Sequence, residues 1–80
     1  MWTIIENSLC RGFRFADFAT AFAFLTEVAV EAERLNHHPW LGNEYNLVEF
    51  RLRTHDAGNT VTERDYRLAA AIDAVASRFI

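Results

Sequence analysis

His37, His38 and His55 are all the histidines of this 80-residue chain, and they fall within 19 residues of one another. Imidazole is the side chain that trades protons near neutral pH, so this gathering points to proton transfer on a small molecule. Glu33 stands four residues before His37. On a helix that spacing lets the carboxylate face the ring and fix which nitrogen carries the proton. His38 precedes Pro39, so the two adjacent rings need not leave in the same direction and can approach the two ends of a flat ligand. Each feature also has a plainer explanation when taken alone. Glu33 and His37 could be an exposed helix pair worth about 0.3–0.5 kcal/mol. Two histidines at a helix C-terminus suit the negative end of the dipole. His55 follows Arg51 and Arg53 on an alternating polar face and could be a strand-end residue. The three rings could also hold zinc, although divergent neighbours fit one tetrahedral ion poorly and no cysteine joins them.

These residues need elements to bring them together. Phe18, Phe22, Leu25, Ala29 and Ala32, flanked by Val28 and Leu35, follow the spacing of a helix packed on a core, with Glu27, Glu31 and Arg34 on the wet side. Asp17 is a plausible N-cap or first-turn acid. His37 falls on the last turn, and Pro39 ends the helix because the residue before a proline is pushed toward extended geometry. Two turn signals then compete, Gly42-Asn43 and Tyr45-Asn46. We prefer the second. It makes 40–44 one strand and 47–54 its antiparallel partner, whose roughly equal arms return His55 toward His37 and His38. Val48, Phe50 and Leu52 alternate with Glu49, Arg51 and Arg53, the pattern of a strand with one buried face.

Ahead of the helix, Trp2 to Ile5 and Leu9 to Phe15 read as a hairpin around Glu6-Asn7-Ser8. Residues 56–59 form a loop. Thr62 to Asp65 resembles a capping box that opens a second helix, with Leu68, Ala69, Ile72, Val75, Ala76 and Phe79 as its apolar side. Asp65 therefore has a complete structural explanation as the capping carboxylate, and we read it as structural before catalytic. The order β-β-α-β-β-α has no long crossovers. It predicts an α+β fold, a four-stranded antiparallel sheet with two long helices packed on one face.

Composition narrows the function further. Residues 1–80 are expected to form a single domain, with 51% hydrophobic residues giving a real core. A chain this short buries only about 60% of its unfolded surface, so self-association is an expected source of stability. The net charge is −3 and the eight basic residues are scattered arginines, which argues against direct nucleic-acid binding. Cys10 is the only cysteine, so no internal disulfide forms and a reducing compartment is expected; its simplest role is a small buried apolar side chain. No signal peptide or uninterrupted apolar span is evident, so no membrane association is expected and a cytoplasmic location is.

Glu33, His37-His38-Pro39, Tyr45, His55 and Asp65, in this order and spacing, resemble the pterin-4a-carbinolamine dehydratases. The likeness continues through Phe13 to Phe18, Phe24-Leu25, Val28-Ala29, Tyr45-Asn46, Thr54-His55 and Asp65 to Ala69, nearly the whole chain. It departs in two places that bear on the site's wall and the assembly. The family's usual N-terminal helical segment is absent, and Trp40 follows the proline directly instead of two residues later. The resemblance implies dehydration of a 4a-hydroxytetrahydropterin, released by aromatic amino acid hydroxylases, to quinonoid dihydropterin in tetrahydrobiopterin recycling. It implies no cofactor or metal, and a homodimer or homotetramer. We assign His37 and His55 as an acid/base pair, His38 to positioning with a share in proton transfer, Glu33 as orienter, and Pro39, Trp40, Tyr45, Thr54 and Asp65 to the substrate-binding surround. The resemblance also implies an alternative, a non-catalytic partner-binding or assembly role, because relatives bind a homeodomain transcription factor or act in Rubisco assembly.

Overall fold

The computed structural model describes all residues, 1–80, and begins with a hairpin of β1 (Thr3–Ile5) and β2 (Ser8–Arg14). Glu6 and Asn7 make the turn at φ 49° and 65°. Two successive left-handed residues match the twist of paired strands, which is why two-residue hairpin loops favour this geometry. Helix α1 (Phe18–Leu35) follows, then β3 (Trp40–Glu44), β4 (Leu47–Leu52) and α2 (Glu63–Ala76). The strands form one antiparallel sheet in the order β1-β2-β4-β3. Both helices cover one face, as the α+β reading expects.

Tyr45-Asn46 is the bend, with Tyr45 at φ 50°. Gly42-Asn43 stays within β3, and the Asn43 amide instead donates to the Tyr45 and Leu47 carbonyls at 3.2 and 2.9 Å. The competing turn residues thus support the bend from inside the strand. Asn46 ties the bend to the end of β2, its amide donating to the Phe15 carbonyl at 2.9 Å while its own carbonyl accepts from Phe15 N–H.

Three expectations need correction. First, α1 does not run to Pro39. It closes at Asn36, which is left-handed (φ 52°, ψ 45°), with His37 N–H bonded back to the Ala32 carbonyl at 3.0 Å. Asparagine tolerates this conformation and ends the helix itself, leaving His37 outside the last turn. Second, the buried stripe of α1 is Ala21, Phe24, Leu25, Val28 and Ala32, while Phe18, Phe22 and Ala29 face solvent. The Phe-Ala-rich first half offers two apolar stripes. Phe24 takes the core because it meets Phe13, Phe15, Phe50 and Phe79 at centroid distances of 5.4, 4.7, 5.9 and 6.1 Å. Third, Cys10 is only half-buried, on the sheet face away from the helices, where it pairs across strands with Thr3 and Arg51.

β4 places Val48, Phe50 and Leu52 in the core as its alternation requires, and α2 buries Leu68, Ala69, Ile72, Val75 and Ala76 against them. β4 ends at Leu52, two residues earlier than expected. Thr54 makes an isolated bridge to Thr60, and His55–Ala57 forms one turn of 3-10 helix closed by Gly58 at φ 80°. Neither helix is long and apolar enough to cross a membrane.

Candidate active site

The sharp closure of α1 determines where the first imidazole goes. Once Asn36 has reversed the backbone, His37 turns inward and is only 7% exposed. Its Nε2 lies 2.6 Å from Asp65 Oδ1. The Arg64 guanidinium holds the same segment from outside, donating to the Asn36 carbonyl at 2.6 Å. A hydrogen bond and a second tether therefore join the end of α1 to the start of α2.

Asp65 is wholly buried and completes the capping box of α2. Its Oδ2 accepts from the Thr62 N–H at 2.8 Å and from the Thr54 hydroxyl at 2.9 Å. An ionised carboxylate only accepts, and these two donors leave Oδ1 for His37. With Asp65 as the carboxylate, the proton on this bond sits on His37 Nε2. Asp65 is the capping carboxylate expected from the sequence and, in addition, the partner of His37, a pairing the sequence did not suggest. The only buried side-chain polar atom without a partner is Nε of Arg11. His37 Nδ1 makes no hydrogen bond within the protein and is left as the ring's unpaired nitrogen.

Contrary to what the helical spacing predicts, Glu33 does not face His37. Because His37 lies beyond the helix, Glu33 Oε1 reaches His38 Nε2 instead, at 3.1 Å, and both side chains are largely exposed. The orienting carboxylate of His37 is Asp65, 28 residues away in sequence. His55 is exposed with Nδ1 2.9 Å from Asn59 Oδ1. It follows Thr54, so the carboxylate that holds His37 also anchors the residue next to His55.

The remaining candidates separate. Thr54 and Asp65 are too buried to offer polar atoms to a ligand directly; their hydrogen bonds lead to His37 instead. Trp40 points to the open sheet face under the Arg51 guanidinium, 4.4 Å from the ring centroid, while the histidine pair lies on the helix side. Tyr45 is exposed at the far end of the five-residue β3, about 16 Å along the strand from Trp40. Pro39 is half-buried between His38 and β3. The structure thus joins His37, Asp65 and Thr54, places His38 and His55 on the adjoining surface, and sets Trp40 and Tyr45 apart. Sequence reasoning missed Thr62 and Arg64 as site neighbours. The capping-box pattern was the available signal for Thr62; nothing local announces the reach of Arg64 to Asn36.

No three His, Cys, Asp or Glu side chains converge as metal ligands. Each histidine takes a different partner. The open sheet face carries a shallow concavity of ≈ 500 Å³, lined by residues such as Thr3, Cys10, Glu49 and Arg51 and by none of the histidines.

Comparison with known proteins bears on the family and the fold. The chain is 47% identical over 76 residues to a protein of Solibacter usitatus (strain Ellin6076) named "Putative pterin-4-alpha-carbinolamine dehydratase", covering 95% of this chain and 79% of that one. A like-named protein of Burkholderia pseudomallei (strain 1710b) is 50% identical over 76 residues, with 92% and 74% covered. The fold matches the crystal structure of a transcriptional coactivator/pterin dehydratase from Brucella melitensis with a TM-score of 0.86 and 41% identity, over 92% of this chain and 80% of that one. It also matches, with a TM-score of 0.77 and 25% identity over 95% and 87%, a pterin dehydratase-like protein identified as a RuBisCO assembly factor in the alpha-carboxysome. The profile of the Pterin 4 alpha carbinolamine dehydratase family matches residues 1–75, so the chain belongs to that family.

Proposed function

We propose that the protein dehydrates 4a-hydroxytetrahydropterins to quinonoid dihydropterins by histidine acid/base catalysis, in the recycling of tetrahydrobiopterin-type cofactors. The observation that carries this reading is the inward-turned His37, held through Nε2 by a buried carboxylate, with Nδ1 free of any protein hydrogen bond. Loss of water from the carbinolamine needs one proton removed and one supplied. The ring nitrogen next to the hydroxylated carbon loses its proton to a base and forms a double bond to that carbon. The carbon–oxygen bond breaks, and an acid protonates the departing hydroxyl as water. His37 Nδ1 and His55 serve as this pair, His38 positions the substrate with Glu33 behind it, and each positioned transfer is worth about 10² to 10⁴ in rate.

Turnover is expected to fall to the uncatalysed rate when His37, His38 and His55 are all replaced by alanine, assayed at a temperature where circular dichroism shows the variant folded, since it also loses the buried pair with Asp65. Full activity in that triple variant refutes the mechanism. A second reading has a specific observation behind it, the likeness to a RuBisCO assembly factor. A pull-down that returns one stoichiometric partner from a protein without pterin turnover would favour assembly over catalysis.

A further inference from the structure

We propose that the hydroxyls of Thr54 and Thr62 form a directional donor chain that aims Asp65 at His37, making these threonines positioning residues for the imidazole. This rests on the dehydratase reading only for its kinetic consequence. The two hydroxyl oxygens lie 2.5 Å apart, and Thr54 is buried. A hydroxyl has one proton to give. Thr54 spends its proton on Asp65 Oδ2, so the proton between the threonines comes from Thr62. Thr62 Oγ1 in turn accepts from the Arg64 N–H at 3.3 Å. Donation therefore runs one way, from the first turn of α2 through Thr62 and Thr54 to the carboxylate, while the Thr62 N–H reaches the same Oδ2 at 2.8 Å.

The consequence falls on the ring. With Oδ2 engaged by two donors, the carboxylate cannot rotate without stranding a buried hydroxyl, and Oδ1 stays fixed toward His37 Nε2. The proton is kept on Nε2 and the lone pair on Nδ1, the nitrogen without a protein partner. Low local dielectric strengthens such a chain when every member is satisfied and penalises it when one is missing. The capping box alone does not require Thr54, whose hydroxyl is from a different element, so its presence calls for another role.

The test compares wild-type protein with Thr54→Val, Thr62→Val and Thr54→Ser by proton–nitrogen NMR of the histidine rings without any pterin. A downfield His37 Nε2–H resonance protected from water exchange is expected in the wild type. Thr54→Val and Thr62→Val should accelerate its exchange about tenfold or more, and Thr54→Ser should restore protection. In turnover assays the valine variants should lose about 10- to 100-fold in kcat with little change in KM, as expected for a misaligned group. If both valine variants lower thermal stability yet leave the Nε2–H signal and its exchange untouched, the threonines are structural and the proposal fails. If the signal responds as expected while even the wild type lacks turnover, the positioning chain stands and the dehydratase reading falls.

Discussion

Removing the Asp65 carboxylate would strand the His37 Nε2–H, the Thr54 hydroxyl and the Thr62 N–H in the interior at once. Breaking a buried, hydrogen-bonded pair typically costs about 3–5 kcal/mol. A chain of this length has about 4–12 kcal/mol in total. Asp65→Ala is therefore expected to lose a large share of its stability in urea denaturation, and a shift below about 1 kcal/mol would show that the network is not buried as described. His38 gives the opposite expectation. Its partner Glu33 is exposed, and such surface pairs contribute about 0–1 kcal/mol. His38→Ala should melt within a few degrees of wild type while turnover falls at least tenfold; equal losses in both would assign it to folding. The motif residues were legible because their order is local. The exchange of partners, Asp65 for Glu33 at His37, was hidden by one left-handed asparagine that takes His37 off the helix.

At the level of elements, α1 carries two expectations. Its N-cap Asp17 is stabilised as the anion, first by the Thr20 side chain and then by the Thr20 backbone N–H, which lowers its pKa below 3.8. A carboxyl whose folded pKa lies below its unfolded value adds stability that is complete above the unfolded pKa and is lost as pH falls through the folded one. Thermal melts of wild type and Asp17→Asn should therefore differ more at neutral pH than below pH 3.8, and a pH-independent difference would contradict this. The phase of the helix is testable by packing. Phe24→Ala, at the centre of four aromatic contacts, should cost about 3–5 kcal/mol, whereas Phe22→Ala should stay within roughly 0.5–1 kcal/mol. The reverse ranking would restore the stripe read from the sequence. That stripe misled because alternating phenylalanine and alanine fit more than one helix face, and only the aromatic residues of β2 and β4 decide between them. By contrast, Thr62 to Asp65 and the Tyr45-Asn46 bend were legible, since a cap and a tight turn are specified by residues within a few positions.

For the whole molecule, one sheet face remains uncovered and β1 and β3 are unpaired edges. Open edges invite pairing with another chain. We expect light scattering to return a multiple of 9.2 kDa at micromolar concentration; a monomer would defeat that expectation. The overall α+β order was readable from strand and helix periodicity, while the joining of His37 to Thr54 through Asp65 depends on three separate elements meeting and left no local trace. Whether that meeting performs chemistry is decided most directly by one rate. Quinonoid dihydropterin formation from chemically generated 4a-carbinolamine would be followed with and without the protein, in the presence of a chelator, alongside the His37→Ala/His38→Ala variant. The account predicts acceleration by the wild type that the chelator does not affect and that the variant lacks; equal, uncatalysed rates for both proteins would contradict it.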